Sequence, residues 1–206
     1  RSHWTETFDY ERMADEVADE LRLRMGTAAS VSLVGHSMGG KVAMLLALRH
    51  PELVRRLVVV DIAPDISDQL RTSVPLVKAM RALDLTTLAS RGQAERVLAE
   101  DVDDPAVRQF LLQNLKHTRT PDDRNGWRWE LNLGLLGDHL DEVAAWPEVG
   151  DVSYDGPVLW AGGAESPYIR PEHQARMRRL FPQVRLVWIP GAGHWVHADA
   201  PASLTA

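Results

Sequence analysis

The sequence predicts an α/β fold: a mostly parallel sheet flanked by helices and interrupted by a helical insertion. Three observations carry this. Residues 30–34 carry Val31, Leu33 and Val34 in a short valine-rich run, which passes through a cluster of small residues directly into a helix-forming stretch. Short apolar runs at 57–60, 157–161 and 185–189 then alternate with helical patterns, as parallel strands joined by right-handed crossovers do. Between about 65 and 152 the strand signal gives way to helical periodicity, which marks an insertion between two strands.

Taken in order, residues 7–25 form an amphipathic pattern, with Tyr10, Met13, Val17, Leu21 and Met25 at spacings of three and four. Thr5 or Thr7 is the expected cap, and Gly26 ends the helix. A strand over 30–34 leads into a helix from about Ser37 to His50, which stops ahead of Pro51. The run 57–60 is apolar throughout, as in a strand buried on both faces, and it ends at Asp61. Within the insertion, helices are expected at about 73–83, 92–100, 105–116 and 128–145, with no strand. Trp127, Trp129, Leu131, Leu133, Leu135 and Leu136 are candidates either to line an apolar acyl pocket or to anchor the insertion. The strand at 157–161, a helix at 171–180 and the strand at 185–189 follow. The domain organisation expected is a core of 1–64 and 153–206, with 65–152 as a cap or lid.

Composition narrows the function classes. The 206 residues are 45% hydrophobic and 25% charged, the balance of an ordinary globular domain. A net charge of -6 with no basic stripe argues against a nucleic-acid partner. No apolar run approaches the length of a membrane span, so no membrane partner is expected. There are no cysteines, which removes thiol nucleophiles and cysteine metal sites and fits a reducing, cytoplasmic setting. The first residue is Arg1, so a signal peptide upstream stays open.

The turn at 35–39 fits the G-x-S-x-G pattern, in which a strained strand-to-helix turn lifts a serine hydroxyl clear of the sheet edge. Ser37 is the candidate nucleophile. Gly35 and Gly39 are expected to let strand and helix pass closely, and the Met38 N–H is the expected oxyanion donor. A serine needs a base, and His194 follows the last predicted strand in a loop loosened by Gly191 and Gly193. The base in turn needs a carboxylate to orient it. Asp61 and Glu165 both lie just past strand ends and both remain open on position alone. His36 is assigned to shaping the turn rather than to proton transfer. His197 and Asp199 offer two metal-ligand types but lack the remaining ligands a site needs, so no metal is expected.

Residues 35–44, 59–64, Ser166-Pro167-Tyr168 and 191–198 resemble the α/β-hydrolase superfamily, and within it the small esterases of the YbfF type and their mitochondrial relatives. The resemblance covers nearly the whole chain, weakly in the insertion. It implies Ser37 as nucleophile, His194 as base and Asp61 as acid, with Ser166 close to the histidine. The chain departs from the pattern in carrying Ala164-Glu165 ahead of Ser166, which supplies the second candidate acid.

The implied activity is hydrolysis of small acyl esters through an acyl-enzyme, with no cofactor. A thioesterase, a lactonase or a cofactor-free haloperoxidase would use the same triad, and a non-catalytic binding module on the scaffold is the reading from another class. Dehalogenases and epoxide hydrolases of this fold carry an aspartate at the position of Ser37 and are disfavoured. Members of the superfamily also carry strands and a His-Gly oxyanion segment ahead of the elbow. The expectation is therefore an incomplete hydrolase core, with the strand at 30–34 as an exposed edge and with weak activity or stability for this segment alone.

Overall fold

The structure, a computed structural model, describes residues 5–26, 29–67, 73–118 and 126–205. In chain order the elements are α1 (Tyr10–Met25), β1 (Val31–His36), α2 (Met38–Arg49), β2 (Val54–Val60), α3 (Val74–Ala82), α4 (Arg91–Leu98) and α5 (Pro105–Leu112). They continue with β3 (Leu115–His117), β4 (Trp127–Trp129), α6 (Leu133–Asp138), α7 (Leu140–Ala144), β5 (Val158–Gly163), α8 (Gln174–Leu180), β6 (Val184–Ile189), α9 (Val196–Asp199) and α10 (Pro201–Thr205). No helix among the described residues is long and apolar enough to cross a membrane.

Two compact units divide the chain: Asp9–Gln69 with Ala144–Ala206, and Arg1–Phe8 with Leu70–Val143. Sequence alone put the limits of the insertion at 65 and 152. The first unit is built on a four-stranded sheet in the order β1-β2-β5-β6, parallel at every pairing. Because all four strands run the same way, their carboxyl ends line one edge, and the loops leaving that edge face a common space.

Among the described residues β1 is an outer strand, and Val34 on it is 65% exposed. α2 is almost wholly buried, including Met44, Leu45, Leu46 and the charged Lys41. α1 meets it with a narrow buried stripe, Tyr10, Ala14 and Ala18; of the residues that periodicity picked out, Tyr10 is buried, Met13 and Leu21 are half-buried, and Val17 and Met25 are exposed. The two alanines let the helix backbones approach closely, a role that hydrophobicity patterns weight lightly. Asp9, not Thr5 or Thr7, caps α1: its Oδ1 accepts from the N–H groups of Glu11 and Arg12.

The second unit has its own core, in which Met80, Leu98, Leu112, Leu115, Trp129 and Leu133 are buried. Trp127 and Leu131 pack against that core, while Leu135 and Leu136 are half-buried. The expectation of helices alone needs correction, because β3 and β4 form an antiparallel pair, with Leu115 opposite Trp129 and His117 opposite Trp127. Three-residue strands are too short for alternation to stand out in sequence, although Leu115 and Trp129 do share the buried side.

Lys41 is the first unit's buried cation. Its Nζ donates to the carbonyls of Ala144 and Ala145, each at 2.7 Å, and lies 5.5 Å from the centroid of the Tyr10 ring. The Ala144 carbonyl also accepts from the Ser67 N–H. Burial lowers the Lys41 ammonium to about 8, with Asp65 opposing the shift. The native state therefore releases this proton before the unfolded chain does, and stability rises with pH across that interval.

Two predictions follow from this packing. Between pH of about 8 and 10.5 the wild type gains up to roughly 3 kcal/mol relative to Lys41→Met, read from denaturant midpoints. At the turn, a Cβ on Gly35 would sit 2.4 Å from the Gly39 carbonyl oxygen, whereas one on Gly39 meets nothing within 4 Å. Gly35→Ala is expected to cost about 1–3 kcal/mol and Gly39→Ala less than about 1 kcal/mol in the same measurement.

Candidate active site

Three of the loops at the carboxyl edge, those after β1, β2 and β5, begin by extending the ladder. The Ser37 N–H donates to the Val60 carbonyl at 3.1 Å, the Asp61 N–H to Ala161 at 2.9 Å, and the Ala164 N–H to Ile189 at 3.0 Å. The chain thus stays locked to its neighbour for one residue beyond β1, β2 and β5. At two of these steps it turns sharply: Ser37 (φ 53°) and Asp61 (φ 50°) are the non-glycine residues with positive φ among the described residues. Such conformations cost of order 1–3 kcal/mol each and persist where the surroundings over-determine them.

The close approach expected of Gly35 and Gly39 is made by Gly35 and Gly40 instead. A Cβ on Gly40 would fall 2.6 Å from Ile62 Cγ2, and Gly39 contributes only the carbonyl that crowds Gly35. The G-x-S-x-G spacing drew attention to the wrong member of the glycine pair. Met38 opens α2, a helix of 12 residues, so its N–H belongs to the first turn, where no intrahelical acceptor exists.

These turns bring three side chains together. His194 Nδ1–H donates to Asp61 Oδ2 at 2.8 Å, which leaves Nε2 to accept the Ser37 hydroxyl at 3.0 Å. Asp61 is fully buried and both of its carboxylate oxygens are engaged. The Gly163 N–H donates to Oδ1 at 2.9 Å and the Ser166 hydroxyl donates to Oδ2. The Trp160 indole N–H donates to the Ile62 carbonyl at 2.7 Å and pins the backbone just past the carboxylate.

Glu165, the alternative acid, is exposed; its N–H donates to the Ala192 carbonyl, and the histidine nitrogen it would need is engaged by Asp61. Among the described residues no group of three metal-ligating side chains is found, and Asp199 Oδ2 accepts from the Gly193 N–H.

Three contacts at the site could not be read from the sequence. The Tyr168 ring lies flat against the His194 imidazole, with centroids 3.7 Å apart and planes 14° from parallel. Gly163 admits the histidine loop, since a Cβ there would fall 2.2 Å from the Gly193 carbonyl oxygen. The His36 ring reaches from the elbow to the main chain of His194, with Nε2 2.8 Å from its carbonyl oxygen. Tyr168 stood in a quoted motif without a role, and no spacing rule joins positions 36 and 194.

A hydroxyl, an imidazole and a buried carboxylate in series are equipped for nucleophilic acyl transfer. A sequence model described as the alpha/beta hydrolase fold matches residues 1–201. The chain belongs to the alpha/beta hydrolase fold family. Within it the chain is 40% identical over 196 residues to the sn-1-specific diacylglycerol lipase ABHD11 of Mus musculus, covering 93% of this chain and 61% of the mouse protein. The Danio rerio counterpart is 42% identical over 82% of this chain and 53% of its own length. The chain thus spans little more than half the length of these two relatives. Esterase YbfF of Escherichia coli is 30% identical over 94% of this chain and 70% of its own. A solved marine microorganism esterase superposes with a TM-score of 0.91 at 30% identity, covering 99% of this chain and 77% of that one.

The choice between the two candidate acids is open to direct measurement. Asp61→Asn is expected to lower kcat on an acyl ester by about 10³- to 10⁴-fold, because the imidazole loses its orienting partner. Glu165→Gln is expected to leave kcat unchanged, and the opposite ranking would exchange their roles.

Proposed function

We propose that the protein is a serine carboxylic-ester hydrolase that works through an acyl-enzyme. The carrying observation is the unbroken chain from Ser37 Oγ through both nitrogens of His194 to the buried Asp61 carboxylate. The names of the similar mouse, E. coli and marine proteins, lipase and esterase, support the same chemistry.

Ser37 Oγ attacks the acyl carbonyl carbon as its proton passes to His194 Nε2. The carbonyl oxygen becomes an oxyanion, held by the Met38 N–H at the positive end of α2. Asp61 stabilises the imidazolium through Nδ1–H and is itself held by Gly163 and Ser166. The imidazolium then returns its proton to the ester oxygen, the carbon–oxygen bond breaks and the alcohol leaves. Water attacks the acyl-enzyme with His194 again as base. The bond to Ser37 breaks, Ser37 is reprotonated and a carboxylic acid is released.

The test is covalent labelling by a fluorophosphonate, located by peptide mass, alongside acid release from an acyl ester. Modification is expected at Ser37, and Ser37→Ala is expected to abolish it and to lower turnover by at least about 10⁴-fold. Labelling that persists in the alanine variant would remove Ser37 from the mechanism.

A further inference from the structure

The histidine beside the nucleophile is bound to the residue that would activate it. His36 is the last residue of β1, and its ring Nε2 lies 2.8 Å from the carbonyl oxygen of His194. A carbonyl oxygen only accepts, so the proton sits on His36 Nε2 and that nitrogen donates. Three links now close on themselves. His36 is covalently joined to Ser37, its ring holds the His194 main chain, and the His194 ring meets Ser37 Oγ at 3.0 Å. Glu165 ties the loop at Ala192 and Asp61 holds the ring, while the His36 bond fixes the main chain of His194 itself; a displacement of about 1 Å at such a contact costs on the order of 10²-fold in rate.

We propose that His36 is a positioning residue for the reaction, fixing the His194 backbone against the elbow so that the hydroxyl–imidazole contact is preset; this rests on the serine-hydrolase reading above. Two further observations fit. His36 is half-buried and its ring centroid is 4.8 Å from that of His194, with Trp195 at 5.9 Å and His197 at 5.1 Å. Burial lowers the His36 imidazole, with the charges of His194 and His197 acting in the same direction and the His194 carbonyl and Asp61 opposing. A neutral ring there spares the imidazolium of His194 a second cation nearby.

The experiment compares His36→Phe, which keeps a ring without a donor, with His36→Gln, which restores an N–H at similar reach. In the intact protein His36→Phe is expected to lower kcat on an acyl ester on the order of 10²-fold with KM little changed, and the fluorophosphonate labelling rate falls with it. His36→Gln is expected to recover most of both.

Equal loss in the two variants, or a KM effect alone, would overturn the inference. Should both variants fail to fold, the ring tautomer of wild-type His36 by ¹⁵N spectroscopy decides. A proton on Nε2 supports the inference, and one on Nδ1 alone overturns it. A wild type that neither labels nor hydrolyses esters would instead sink the serine-hydrolase reading, with the tautomer unaffected.

Discussion

The site depends on one constraint: three of the four strands of the parallel sheet, β1, β2 and β5, stay hydrogen-bonded to their neighbours for one residue past their ends. Ser37 is tied to Val60, Asp61 to Ala161 and Ala164 to Ile189, so three loops leave the sheet from fixed points along one edge. The loop after β6 is tied to the same edge by the Glu165 N–H, which donates to the Ala192 carbonyl, and it brings His194 within hydrogen-bonding distance of Ser37, more than 150 residues away in sequence. The strain at Ser37 and Asp61 is tolerable because the residues on either side cannot move. Gly35 and Gly40 clamp strand to helix, and Trp160 and Gly163 hold the chain around the carboxylate. Positions of positive φ in non-glycine residues thus coincide with two of the three groups in the chain.

Around the imidazole the restraints come from several directions. Asp61 takes one nitrogen, Tyr168 covers a face of the ring, and His36 holds the main chain. Neither Tyr168 nor His36 needs to exchange a proton to matter, since an acyl-transfer base is effective only when its lone pair is aimed at the hydroxyl before substrate arrives.

The elbow was legible in the sequence because its elements are consecutive: an apolar strand, a turn of small residues and a helix within a few positions. The acid was not. Asp61 and Glu165 both follow strand ends, and what separates them is that the Asp61 side chain is buried against Gly163 and Ser166 while Glu165 points to solvent. Which glycine is crowded was also hidden, because it depends on Ile62 from the neighbouring loop rather than on the local motif. The alanine stripe of α1 and the three-residue strands β3 and β4 carry patterns too weak or too short to read before packing is known.

Whether hydroxyl and imidazole act as one unit is decided by a double-mutant cycle on ester turnover. Ser37→Ala, His194→Ala and the combined variant are compared in kcat/KM. The double variant is expected to be no worse than either single one, because removing one partner already silences the other. Losses that multiply would mean the two residues work independently and would contradict this expectation.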